Sequence, residues 1–177
     1  KKTITIGNGI TVADYGFRTI LTNERPQICF VGSPGFKWHG LDKIKWLAQE
    51  CPDFDFHLIG DLGVNTENLT HHGYLSKEEV CDILEKADVA ISTMSLHAKN
   101  MDEASPLKSR QYLAHGLPTI YAYEDTDLKG GEEFSLKIPN TADNIKTHIE
   151  EIKSFVKKCH GNSKLRGQAR KFAEDNL

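Results

Sequence analysis

Short, nearly continuous apolar runs alternate with helical stretches along this chain, and that alternation restricts its fold more than any other feature. Gln27 to Gly32, Asp55 to Gly60, Asp88 to Ser92 and Leu117 to Tyr121 are the runs. Between them, Gly40 to Glu50 carries Leu41, Ile44 and Leu47 on one helical face. A second helix starts at Ser76, with Glu79 three residues later as a capping box, and carries Val80, Ile83 and Leu84 to about Lys86. A weaker strand is expected at Glu133 to Ile138 and another near the start, at Lys2 to Ile6. Thr141 to Lys158 and Lys164 to Asp175 read as two closing helices. Strands without polar alternation are buried on both faces, and repeated β-α-β units supply helices to both faces of a parallel sheet. Ligands of such sheets bind beyond the carboxyl ends of the strands. The loops Gly32 to Gly40, Gly60 to Gly63, Gly73 to Ser76 and Met94 to Ser105 are therefore expected to share one rim.

At 177 residues, with 38% hydrophobic and 27% charged residues, the chain suits one soluble domain with a proper core. Its net charge of −3 gives no reason to expect nucleic acid as a partner. Four cysteines (Cys29, Cys51, Cys81, Cys159) lie far apart without metal-ligand spacing. Cys29 and Cys81 fall in apolar periodic segments and read as reduced core residues of a cytoplasmic protein. No apolar run reaches membrane-spanning length and no signal peptide is visible. The first residue is Lys, so the chain reads as a piece of a longer protein. Thr5 to Val12 looks like strand plus turn, followed by a polar stretch to about Pro26. Residues 1–25 are expected to be the tail of a preceding domain and a crossing segment, and 26–177 the domain proper.

The densest chemistry lies between Glu103 and Ile120. Ser105 is a plausible N-cap and Pro106 suits the first helical turn, where its missing N–H is not needed. The free N–H groups of that turn, the helix dipole and the charge of Lys108 together make a phosphate site. Gly116 and Pro118 stop the helix. Glu103, a carboxylate just ahead of an anion-binding turn, suits a ligand that is part phosphate and part polyol: a nucleotide sugar.

The ordered pieces Gly-Asn-Gly-Ile (7–10), Phe-Val-Gly (30–32), His-Gly-Leu-Asp (39–42), Phe-His-Leu-Ile-Gly (56–60), His-Gly-Tyr-Leu-Ser (72–76), Ala-Asp-Val-Ala-Ile-Ser (87–92) and Glu-Ala-Ser-Pro-Leu-Lys (103–108), closing with Gly-Leu-Pro-Thr-Ile (116–120), resemble the C-terminal domain of GT-B glycosyltransferases. They are most similar to the retaining group with the Glu-x7-Glu motif, over nearly the whole chain. The resemblance implies a Rossmann-like α/β sheet covered by helices on both faces, one half of a two-domain enzyme. It also implies a nucleotide-sugar donor, an acceptor domain on the N-terminal side, and sugar transfer to a hydroxyl with retention, in polysaccharide or glycolipid synthesis. The acceptor half would bring any peripheral membrane association.

Residue by residue, the resemblance implies that Glu103 binds sugar hydroxyls and that Ser105, Pro106, Leu107 and Lys108 meet the diphosphate. The second glutamate falls on Gln111, a neutral and weaker acceptor for the ribose hydroxyls. The family's arginine after Gly32 is Ser33 here, and its lysine before Gly40 is His39, with Lys37 two residues away as a substitute. Tyr74 and Leu75 match the loop beside the nucleobase. Glu103 and Lys108 are the expected catalytic residues, and no metal or other cofactor is expected.

Simpler roles compete. A histidine such as His39 at a helix start is usually a surface residue, and Gln111 suits an exposed helix face. Asp53 and Asp55, and Asp125 and Asp127, spell Asp-x-Asp, a metal-binding signature elsewhere, but read here as solvated turn acids. His71 and His72 read as the polar start of a strand rather than as metal ligands. A sugar-nucleotide epimerase of the same architecture and a nucleotide-sugar-binding module without catalysis are the alternative functions.

Overall fold

The computed structural model describes residues 6–177. The expected strand at Lys2 to Ile6 falls almost wholly outside the described residues. The strands are β1 (Gln27–Val31), β2 (Asp55–Ile59), β3 (Leu69–Gly73), β4 (Val89–Ile91), β5 (Glu103–Ala104), β6 (Thr119–Tyr121), β7 (Glu124–Asp125) and β8 (Ser135–Lys137). The helices are α1 (Leu41–Glu50), α2 (Lys77–Lys86), α3 (Leu107–Ala114), α4 (Asn144–Thr147), α5 (Ile149–Cys159) and α6 (Ser163–Asn176). Six strands form one parallel sheet in the order β3-β2-β1-β4-β6-β8, and β5 pairs with β7 in a separate parallel ribbon.

Alternation along β1 shows why its apolar run is unbroken. Ile28 and Phe30 join the larger core with Ile44 and Leu47 of α1 and Val156 of α5. Cys29 and Val31 face the other side, with Leu84 of α2 and Tyr112 of α3. Each face of the strand is covered, so neither can be polar. Asp88 caps the sheet's amino-terminal end: its carboxylate accepts from the Gln27 N–H (2.9 Å), Asn23 Nδ2 (2.9 Å) and the Gly161 N–H (3.0 Å). The Ser76–Glu79 capping box forms in both directions.

Several boundaries differ from expectation. β3 does not stand out in the sequence because it is an edge strand, partly exposed along its middle, with the polar run Thr70 to His72. The helix expected from Thr141 to Lys158 is two helices broken at His148. Side chains compete for the backbone there: Thr147 Oγ1 donates to the Asp143 and Asn144 carbonyls (both 3.2 Å), and His148 Nδ1 bonds the Asn144 carbonyl (2.9 Å). All four cysteines are free. Cys29, Cys51 and Cys159 are buried, whereas Cys81 is only half-buried on α2.

Residues 6–26 run over the surface of the sheet domain and are pinned by basic side chains, two of them buried (Arg166 and His115) and one half-buried (Arg170). Arg166 Nε donates to the Arg18 carbonyl (2.7 Å), Arg170 Nη1 to the Tyr15 carbonyl (2.9 Å), and His115 Nδ1 bonds the Gly16 carbonyl (2.9 Å). No helix of the described residues is long and apolar enough to cross a membrane.

Candidate functional site

Because all six strands of the main sheet run parallel, the loops after them meet at one edge, as expected. Their backbones interlock. The Gly32 N–H donates to the Ile59 carbonyl (3.0 Å) and the Gly60 N–H to the Gly73 carbonyl (2.7 Å). Gly60 has φ +85°, and a Cβ there would stand 2.2 Å from the Gly32 carbonyl oxygen, so only glycine permits this approach. The N–H groups of Met94 and Ser95 donate to the carbonyls of His39 and Trp38, at 3.2 and 3.1 Å.

At this edge Gly32, His39 and Lys108 come together. Lys108 Nζ is 3.1 Å from His39 Nδ1 and lies over the Phe30 ring, 4.1 Å from its centroid. It also sits 3.1 Å from where a Cβ on Gly32 would be. Among the described residues no carboxylate pairs with it. Burial without a counter-ion penalises the ammonium and lowers its pKa to about 7. His39 is not the surface residue that its position in the sequence suggested. It is 8% exposed, edge-on to both Phe30 and Phe36, and its pKa falls to about 4 through burial and the nearby positive charges of Lys108 and Lys99.

The remaining expected residues are more scattered. Lys37 is exposed, in the same short 3-10 turn as His39. Tyr74 is exposed and Leu75 half-buried, just past the Gly73 carbonyl that holds Gly60. Gln111 is half-buried on α3, between the expected exposure and full burial. Glu103 is exposed in β5, beside an open cleft of about 460 Å³ shared with Glu124, Asp125 and Thr126. No hydrogen bond or ion pair joins Glu103 to Lys108.

The start of α3 is one residue later than expected. Pro106 is the N-cap, Leu107 opens the helix, and the Ser105 hydroxyl makes no cap bond. It accepts instead from the Asn8 N–H (2.7 Å), while Asn8 Nδ2 donates to the Ser105 carbonyl. Ser105 thus ties the amino-terminal segment to the start of α3.

The Asp-x-Asp at 125–127 is also corrected. Asp125 is buried and takes both Arg110 nitrogens in a bidentate pair, at 2.7 and 2.9 Å. Asp127 contacts the same guanidinium, and Asp125 Oδ1 accepts from the N–H groups of Asp127 and Leu128. These acids hold α3 against the turn after β7. Of the other pair, Asp55 bridges Arg25 (3.3 Å) and Gln27 (2.8 Å), so only Asp53 stays solvated. His72 meets His57 (3.0 Å) and His71 meets Asp61 (3.0 Å), across the β2–β3 edge.

Polar side chains that nothing in the sequence singles out shape the loop before Glu103. Lys43 Nζ donates to the Met94 carbonyl (3.0 Å) and Asn144 Oδ1 (2.9 Å), and Asn144 Nδ2 also donates to the Met94 carbonyl (3.0 Å). Asn140 accepts from the His97 N–H (2.9 Å) and donates to the Met101 carbonyl (2.9 Å). Beneath α3, Ser92, Ser109 and Tyr123 form a closed ring of buried hydroxyls, 2.7 to 3.1 Å apart. Ser92 at least closes the apolar run Val89 to Ile91, whereas Lys43, Ser109, Asn140 and Asn144 lie among other polar residues and nothing local sets them apart.

This is the fold of one Rossmann-like half of the GT-B architecture. No protein-family model and no curated protein sequence matches the chain. Solved structures do. Sucrose-phosphate synthase from Thermosynechococcus elongatus superposes with a TM-score of 0.70 at 14% identity, over 94% of this chain and 46% of that one. A point mutant of S. aureus TarM, crystallised with UDP, fondaparinux and α-GlcNAc-glycerol, gives 0.69 at 14% identity, over 97% of this chain and 36% of that one. Anabaena HepE in complex with UDP-glucose gives 0.68 at 9% identity, over 95% and 51%. The chain thus spans between about a third and a half of the structures it matches.

Proposed function

We propose that this chain is the donor-binding half of a retaining glycosyltransferase, with residues 26–177 as the nucleotide-sugar domain and residues 1–25 leading from an acceptor domain. The observation that carries this reading is the Lys108 ammonium, held at the start of α3 beside Gly32 with no carboxylate partner. A half-buried cation without a counter-ion is unfavourable unless an anion joins it, and the N–H groups of Leu107 and Lys108 open a helix beside it. Complexes of similarly folded proteins with UDP and UDP-glucose support a nucleoside diphosphate as that anion.

In the reaction, the bond from the anomeric carbon to the diphosphate oxygen breaks and a bond to the acceptor oxygen forms. The acceptor's proton passes to the leaving phosphate. Negative charge grows on the diphosphate as the bond breaks, and Lys108 with the α3 amides stabilises it by preorganised electrostatics. Glu103 orients the sugar ring and favours its oxocarbenium character. Lys37, Ser105, Pro106 and Leu107 line the phosphate side, Gln111 meets the ribose, and Tyr74 and Leu75 border the base. Synthesis of a polysaccharide or glycolipid is the process such a transfer serves. A cytoplasmic location, with peripheral membrane attachment through the acceptor half, goes with it.

Titration calorimetry with UDP and GDP, with and without EDTA, tests the binding half of this reading. Weak, metal-independent binding is expected, and strictly metal-dependent binding would overturn the assignment of the phosphate charge to Lys108. The catalytic half is tested by turnover. The chain alone should not transfer sugar, because the acceptor must be held against the anomeric carbon by the other domain. Gln111, in place of the family's glutamate, favours a non-catalytic nucleotide-sugar-binding module as the second reading, and turnover by the full-length protein excludes it.

A further inference from the structure

We propose that His39 is the positioning residue for Lys108, a neutral acceptor that keeps the lysine charged and aimed across Gly32, so that phosphate binding at this edge follows the protonation of Lys108. The inference rests on the reading above that Lys108 meets a phosphate.

Three elements enclose the ammonium. β1 offers the Phe30 ring, α3 offers Lys108's own backbone, and the 37–39 turn offers His39 Nδ1, the one polar side-chain partner among the described residues. The other charged group affecting this pair is Lys99, from the 96–99 turn, a second cation. His39 is itself clamped by Phe30 and Phe36, edge-on at centroid distances of 5.5 and 5.7 Å, so its ring cannot swing away cheaply. A lysine donates, so Nδ1 must carry the lone pair and Nε2 the proton. A lysine in place of His39 would set two ammonium groups side by side. A neutral histidine offers a lone pair to the one that is there.

A hydrogen bond accepted from the charged form favours that form, so His39 holds the Lys108 pKa up against burial. Below about pH 4, His39 takes a proton and turns from acceptor to repeller. Above about pH 7, Lys108 loses its charge unless an anion restores it. Between these limits the edge is ready for phosphate, and above them binding must take up a proton.

The test measures Lys108 first without ligand, by ¹³C NMR of reductively methylated lysines, with Lys108→Met identifying the resonance. His39→Leu should lower the Lys108 midpoint by about one pH unit, the worth of a single hydrogen bond, and His39→Asn, whose amide oxygen stands near the Nδ1 position, should restore it. An unchanged midpoint in His39→Leu overturns the proposal. Should His39→Leu not fold, long-range ¹⁵N spectra of the unmutated protein decide: Nε2-protonated His39 through neutral pH supports it, and Nδ1 protonation overturns it. UDP titrations from pH 6 to 9 then separate the two inferences. Failure of UDP to bind at any pH removes the donor reading but leaves the Lys108 midpoint to judge His39. Binding that has the same pH dependence in His39→Leu sinks the role of His39 alone.

Discussion

Arg110 and Asp125 meet in a fully buried bidentate pair, Nη1 to Oδ2 at 2.7 Å and Nη2 to Oδ1 at 2.9 Å. The pair joins the middle of α3 to the end of β7, with Asp127 and Thr126 of the following turn bonded to the same guanidinium. Since β7 pairs with β5, the position of Glu103 depends on it. Removing Asp125 leaves the buried guanidinium with Asp127 alone, a partly exposed partner, and strips the N–H groups of Asp127 and Leu128 of their acceptor. Asp125→Ala should therefore lower the free energy of unfolding by about 3–5 kcal/mol, read from the urea midpoint. Replacing both residues with apolar ones should recover much of that loss. A single substitution with a small effect would mean that the pair is not buried as described.

Lys108→Met should act in opposite directions on stability and on binding. The folded pKa of Lys108, about 7, lies below that of a free lysine. The unfolded chain therefore holds more protons between pH 7 and about 10.5, and stability rises with pH across that window. At and below pH 7 the half-buried, unpaired ammonium is a net burden. Lys108→Met is expected to stabilise the ligand-free protein by about 1–2 kcal/mol at pH 7 while weakening UDP binding. Denaturant melts at pH 7 and pH 10 check the sign: the gain should shrink at the higher pH.

His39 has the same sign at lower pH. Its folded pKa, about 4, lies below that of free histidine, so its contribution is lost as pH falls from about 6.5 towards 4. His39→Asn should flatten that part of the stability profile, as measured by thermal melts between pH 4 and 7.

In the full-length protein, Glu103→Ala and Lys108→Ala should each reduce kcat by about ten- to a hundredfold, the worth of one charge-assisted contact made most strongly in the transition state. Gln111→Ala should mainly raise the donor KM, since the ribose does not change during the reaction. Gln111→Glu is the sharper probe and should tighten donor binding. If neither Gln111 variant alters donor affinity, α3 does not lie along the nucleotide as proposed.

Gly60→Ala tests how the loop edge is built. The new Cβ would meet the Gly32 carbonyl at 2.2 Å on a backbone with φ +85°. A loss of about 1–3 kcal/mol is expected, with weaker UDP binding because Gly32 must move. An unaltered urea midpoint would show that the two loops are not in contact.

Local and periodic features are legible in the chain before it folds. Unbroken apolar runs such as Val89 to Ile91 announce a strand covered on both faces, and the Ser76–Glu79 spacing announces a capped helix, because each pattern is enforced by neighbours a few residues away. The candidate edge was legible for the same reason, since parallel strands carry their loops to one end. Long-range partners were decided only by the tertiary structure. Nothing near Asp125 in the sequence says that Arg110 will fill its two oxygens, nor does anything near Ser105 point to Asn8, 97 residues away. The burial of His39 likewise came from Phe30 and Phe36 closing on it, and its bond to Lys108 spans 69 residues. Charge and hydrogen-bonding capacity are written in a residue's type, but whether water or another side chain satisfies them depends on what the folded chain brings within about 3 Å.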